Sequence, residues 1–239
     1  MTRLEPDRII CNFLRNTVTD INASRSGQWI YPDFPRVASL GNTSFPRMGI
    51  TILTENGERM GINDDTTLSD ITFQVDIVAK KDQVYTLTVT DEAVGNIATG
   101  LSFDYVPGTV TSISHDGTPF GTVTAVNTDA DFTSPSAGTV QWSKSTGNLN
   151  FATADISSYT GQAITSTYTY GLEGKKAVQY IARDVIEQFR GSWRNDTTMT
   201  GLFYPELISS NPLPFDEELG IFRYMLEYHI KGFNAGEEY

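Results

Sequence analysis

Asp70-Ile71-Thr72-Phe73-Gln74-Val75-Asp76-Ile77-Val78-Ala79-Lys80-Lys81 decides how the rest of the chain is read. Ile71, Phe73, Val75, Ile77 and Ala79 fall on one side and Thr72, Gln74, Asp76 and Lys80 on the other, the two-residue period of a half-buried strand. After Lys81 the texture changes. From Asp82 to Gly171, short runs of Val, Thr, Tyr and Phe are punctuated by Gly and Pro, and an α/β pattern resumes only near Glu173. The expectation is an α+β core, 1–81 plus 172–239, in which a small sheet with two packing helices carries an inserted all-β domain at 82–171.

Upstream, Ile9, Ile10, Phe13, Leu14, Val18 and Ile21 recur at three- and four-residue steps, predicting a helix from Pro6 with one apolar face. Trp29-Ile30-Tyr31-Pro32 starts an extended segment; Phe34-Pro35-Arg36 and Phe45-Pro46-Arg47 bracket a loop, and the second leads into a strand from Met48 to Leu53. Glu55-Asn56-Gly57-Glu58 holds the Asn-Gly pair favoured in tight hairpins, so the chain is expected to turn there, with Asn63 to Thr67 as a polar loop. Downstream, Ala177, Val178, Ile181, Ala182, Val185, Phe189 and Trp193 mark a helix over 175–194. A loop with Pro205, Pro212 and Pro214 follows, then a last strand with Phe222, Tyr224, Leu226, Tyr228 and Ile230 on one face.

Within the insert, strands are expected at 84–90, 101–106, 109–114, 122–127, 139–143, 148–151 and 163–170, an antiparallel sandwich or small barrel.

The chemistry expected of an enzyme is missing. The histidines are His115 and His229, and no Gly-x-Ser-x-Gly elbow or phosphate-cradling Gly-x-x-x-x-Gly-Lys occurs, so no catalytic residue is assigned. Asn127, Asp129 and Asp131 begin like a calcium loop, but Phe132 stands where Gly is needed and no acidic twelfth ligand follows. Cys11 is alone, so neither a disulfide nor a Cys-rich metal site is expected; no cofactor is. No apolar run approaches a membrane span or a secretion signal, so neither a membrane partner nor Sec-type export is expected. The net charge of -12 argues against a sequence-reading nucleic-acid binder. Asp (17) over Glu (12), Arg (11) over Lys (6) and 30 Thr give a halophilic bias, since salt screens the self-repulsion of an acidic surface.

The outer halves resemble the tail terminator, or tail-completion, proteins of long-tailed phages and archaeal tailed viruses. The likeness rests on the 29–35 segment, Phe45-Pro46-Arg47-Met48-Gly49-Ile50 leading to Gly57, the 71–77 strand, the 178–193 helix and Arg223-Tyr224-Met225-Leu226-Glu227-Tyr228, about 150 residues in all. The resemblance implies a virion structural protein: a ring of six copies that ends tail-tube polymerisation at the head-proximal end and joins the tail to the neck. Its partners would be itself, the tail tube protein, neck or connector proteins, and genomic DNA passing through the lumen without sequence-specific binding. It would occupy the host cytoplasm during assembly. Candidate interface residues are Trp29, Tyr31, Glu55, Asn56, Glu58, Arg59, Arg190, Trp193 and Arg194, aromatic and Arg side chains being favoured at contact centres.

Two other readings stand beside this one. A head-tail adaptor or stopper, or a minor tail protein, uses similar small units in rings. A glycan- or receptor-binding module would instead present Trp142, Tyr105 and Tyr159 as exposed stacking platforms on the insert.

Overall fold

The computed structural model describes residues 5–22, 24–33, 41, 44–61, 64–96 and 101–234. Among them are three α-helices, α1 (Pro6–Thr17), α2 (Thr153–Tyr159) and α3 (Gly174–Gly191). Twelve strands accompany them: β1 (Ile30–Pro32), β2 (Arg47–Gly61), β3 (Asp64–Lys80), β4 (Val84–Asn96), β5 (Thr109–His115), β6 (Thr118–Pro119), β7 (Thr122–Val126), β8 (Thr139–Ser143), β9 (Leu149–Phe151), β10 (Ala163–Glu173), β11 (Leu202–Pro212) and β12 (Ile221–Asn234). The fold is mixed α+β and mostly sheet. It divides into two compact units, Met1–Tyr85 with Glu173–Tyr239, and Thr86–Leu172. No helix among the described residues is long and apolar enough to cross a membrane.

The first unit is a five-stranded sheet in the order β1-β2-β3-β12-β11, antiparallel except for β1 beside β2. Pro6 and Asp7 suit the first turn of α1, and Ile10, Phe13 and Leu14 bury its apolar face. Arg15 fastens this helix to β1, its Nε and Nη2 both donating to the Ile30 carbonyl at 3.0 and 2.6 Å. Ala177, Val178, Ile181, Val185 and Phe189 do the same work on α3. Beneath lie Ile71, Phe73, Val75 and Ile77 of β3 and Leu226, Tyr228 and Ile230 of β12, all buried. Phe73 stacks on Tyr228 at 5.3 Å, Phe189 meets both rings, and Phe13 reaches Phe189 at 5.1 Å. On the other face Asp76, also buried, accepts from Arg223 Nη2 at 3.1 Å and Gln74 Nε2 at 2.6 Å, so its charge is paired.

Gly174 opens α3 at a close approach. A β-carbon there would stand 2.7 Å from Phe222 Cδ2 and 3.1 Å from the Lys80 carbonyl oxygen. Gly174→Ala is expected to cost about 1–3 kcal/mol, the range for overpacking. Urea denaturation measures it, and an unchanged midpoint would mean that Phe222 yields without cost.

In two places this unit departs from the expected pattern. The hairpin does not turn at Asn56-Gly57: those residues pair with Asp70 and Ser69, the ladder continues to Gly61 opposite Asp64, and Thr67 belongs to β3 rather than to a loop. The reason is β12, which pairs with β3 as far as Thr67 and makes it a central strand, so the continuous ladder outweighs one local turn preference. The segment with Pro205 and Pro212, expected as loop, is strand β11. Proline is tolerated there because β11 is an edge, Pro205 falls in a register shift between Phe203 and Glu206, and Pro212 is the last residue. Phe34-Pro35-Arg36 lies outside the described residues.

The second unit holds a four-stranded sheet, β4-β10-β5-β6, and a three-stranded one, β7-β8-β9. Neither closes on itself, so the barrel alternative is set aside, and the unit is not wholly antiparallel, because β7 and β8 run parallel. The connection between them, from Asn127 to Gly138, has the dozen or so residues a parallel crossover needs. Residues 101–106 form no strand and contribute only the bridge Ser102–Asn148. The expected pattern also omitted α2, whose Asp155 is buried and accepts from the Gly138 amide at 2.8 Å.

Candidate subunit interface

A sheet edge exposes unpaired amides and carbonyls, which proteins either protect or use. In the first unit β11 is one edge. Its two register shifts fall at Tyr204-Pro205 and at Ile208, and these bulges turn Tyr204 and Ile208 outward, 68% and 53% exposed. Tyr204 holds a positive φ of 58°, a left-handed backbone that a bulge accommodates. Its ring approaches Trp193 at 6.2 Å and Phe203 at 5.7 Å, and the Arg194 guanidinium lies 5.7 Å from the Trp193 ring. Arg190, in the last turn of α3, complements the helix dipole. It also opposes the effect of burial on Tyr228, whose phenol burial raises well above the usual range. Arg190 and Arg194 are exposed and form no ion pair among the described residues.

The opposite edge is β2. Its partner β1 reaches only from Met48 to Ile50, leaving the outer side of the rest of β2 without a strand among the described residues. A bulge between Ile52 and Thr54 exposes Leu53 to 46%, and Glu55, Asn56 and Glu58 follow, all exposed. Register sets the levels of the two edges. Glu55 pairs with Ile71, Ile71 pairs with Ile230, and Ile230 faces the Tyr204-Pro205 bulge. Ile52, Phe73, Tyr228 and Leu207 form another row, with Leu53 and Ile208 each next to its ends.

The sequence-derived candidates therefore separate into two groups. Glu55, Asn56 and Glu58 lie on the β2 edge, whereas Trp193 lies against Tyr204 of β11 with Arg194 over its ring, and Arg190 is in the last turn of α3 near Tyr228 of β12. Arg59 pairs with Thr67 through its backbone, and its side chain lies outside the described residues. Trp29 is a core residue, while Tyr31 is half-buried with the Arg47 guanidinium 4.9 Å from its ring. Sequence reasoning missed Leu53, Tyr204 and Ile208. Pro205 was the available signal, since a proline inside a strand marks an edge or bulge.

The other chemical candidates are occupied. Trp142, expected to be exposed, is 3% exposed and packs edge-on to Phe103 at 6.3 Å; an indole filling the insert's core is no platform. Tyr105 is exposed as expected, with one face stacked flat on Tyr170 at 4.4 Å, and Tyr159 is half-buried and stacks on His115 at 3.8 Å. His115 Nδ1 lies 3.1 Å from Gln162 Oε1, and His229 Nε2 lies 3.4 Å from Asp70 Oδ1. Asp129 accepts from Thr146 at 2.6 Å and Asn148 at 2.7 Å, and hydrogen bonds from Thr146, Ser143 and Asn148 hold its carboxyl below the usual range. Among the described residues no three His, Cys, Asp or Glu side chains are grouped to hold a metal. Comparison with protein-family models, curated proteins and solved structures finds no match to this chain.

Proposed function

We propose that this chain is a virion structural protein whose copies close into a ring at the head-proximal end of a tail tube, ending tube growth and joining the tail to the neck. The observation that carries the reading is a pair of edges on opposite sides of one sheet, β11 and β2 beyond Ile50, neither with an outer strand among the described residues and each with exposed apolar residues raised by bulges. Unlike edges on opposite sides make a head-to-tail contact, and such contacts close into rings when the rotation per copy allows. Six copies is the number the family resemblance implies. The acidic balance, -12 per copy, suits a lumen through which DNA moves without adhering.

The insert serves as an appended module, read as a two-sheet sandwich. Phe103 touches Tyr168 of β10 and Trp142 of β8, and Phe120 touches Phe151 of β9, so side chains from both sheets share one core.

Electron microscopy of the purified full-length protein, alone and with polymerising tail tube protein, tests the function. Rings and shortened, capped tubes are expected. Dispersed single copies with tubes of unlimited length would overturn the reading, and binding to filled heads that lack tails would reassign it to an adaptor or stopper.

A further inference from the structure

We infer that the partner of the β11 edge is the β2 edge of a second copy of this chain, with Arg190 and Arg194 of one copy facing Glu55 of the next. The inference rests on the ring reading and adds which surfaces meet. Three observations select this occupant over a second β11 edge.

Strand direction is the first. β2, β3, β12 and β11 alternate, so a neighbour's β2 placed outside β11 runs antiparallel to it and continues the alternation. Level is the second: in a sheet continued this way, Glu55 arrives at the height of the Tyr204-Pro205 bulge, and Leu53 arrives beside Ile208. Charge is the third. Glu55 shares a sheet face with Ile71, the face α3 covers; Arg190 is in the last turn of α3 and Arg194 in the 3-10 turn Ser192–Asn195 that follows it, so opposite charges meet on the same side. A β11-to-β11 contact would leave Glu55 and Leu53 outside the junction. The bulges prevent a full ladder across the junction. Contact is therefore led by side chains, with Tyr204, Ile208 and Leu53 as apolar pegs inside a charged rim.

Charge reversal in the full chain is the test, with assembly followed by mass photometry and sedimentation and folding by circular dichroism. Arg190→Glu with Arg194→Glu, and separately Glu55→Arg, are each expected to raise the concentration needed for assembly at least about tenfold, since like charges at an interface are strongly unfavourable. An equimolar mixture of the two variants is expected to restore rings, because every junction in an alternating ring of six is again complementary. So is the chain carrying all three changes. Leu53→Asp is expected to weaken assembly without rescue by either. If the parent chain forms rings and the reversals leave them unchanged, or the mixture of folded variants fails to recover, the edge pairing is wrong and the ring reading stands. A parent chain that never assembles removes both.

Discussion

Replacing Phe73 with alanine is expected to cost the first unit about 3–5 kcal/mol, the usual loss on truncating a buried phenylalanine. Phe73 is fully buried at the centre of the sheet's helix-covered face. Its ring stacks on Tyr228, 12° from parallel, and sits 5.8 Å from Phe189, which in turn touches Phe13. One side chain thus connects β3, β12, α3 and α1. Neighbouring rings are too rigid to collapse into the gap, so most of the lost contact stays lost. Phe73→Leu keeps more of the volume and is expected to cost about half as much. Urea denaturation followed by tryptophan fluorescence suits the measurement, because Trp29 and Trp193 report on the first unit and Trp142 on the second. A loss under about 1 kcal/mol for alanine would contradict the packing described.

Arg25→Ala is expected to cost about 3 kcal/mol, from a charged group whose partners are left unpaired. The Arg25 side chain is 5% exposed. Its Nε donates to Asp20 at 2.5 Å, Nη1 to the Ser44 carbonyl at 2.8 Å and Nη2 to the Pro46 carbonyl at 2.6 Å, tying the segment after α1 to the start of β2. Arg25→Lys is expected to recover little, because an ammonium cannot reach three acceptors arranged around a planar fork. Thermal and urea unfolding read both variants; alanine within about 0.5 kcal/mol of the parent would mean that solvent replaces all three contacts.

The parts of this fold that could be read in advance are those where one burial surface imposes a period. Residues 71–79, the apolar face of α3 and residues 222–230 each repeat long enough for a single face to be recognised. Elements set by distant partners were not legible. β11 depends on β12 to give its prolines an edge position, and the length of the β2–β3 ladder past Asn56-Gly57 depends on how far β12 accompanies β3. The parallel pairing of β7 with β8 has no local sign, because short β runs look alike in either direction. The same division holds for the proposed interface. Glu55, Arg190, Trp193 and Arg194 could be named from residue type, but the levels of the two edges come from the pairing of four strands. Trp29 has the chemistry of a contact residue and went to the core, since an indole next to a β1–β2 pair gains more from burial than from exposure.

β4 and β10 are neighbours in one sheet, and they are also the strands through which the chain leaves the first unit and returns to it. The two crossings are separated laterally by one strand spacing, about 4.8 Å. Natural recombination at these two points can therefore exchange the appended module for another, or for a plain reverse turn, without rerouting the polypeptide around it. An engineer can place a fluorescent or affinity label at the same junction.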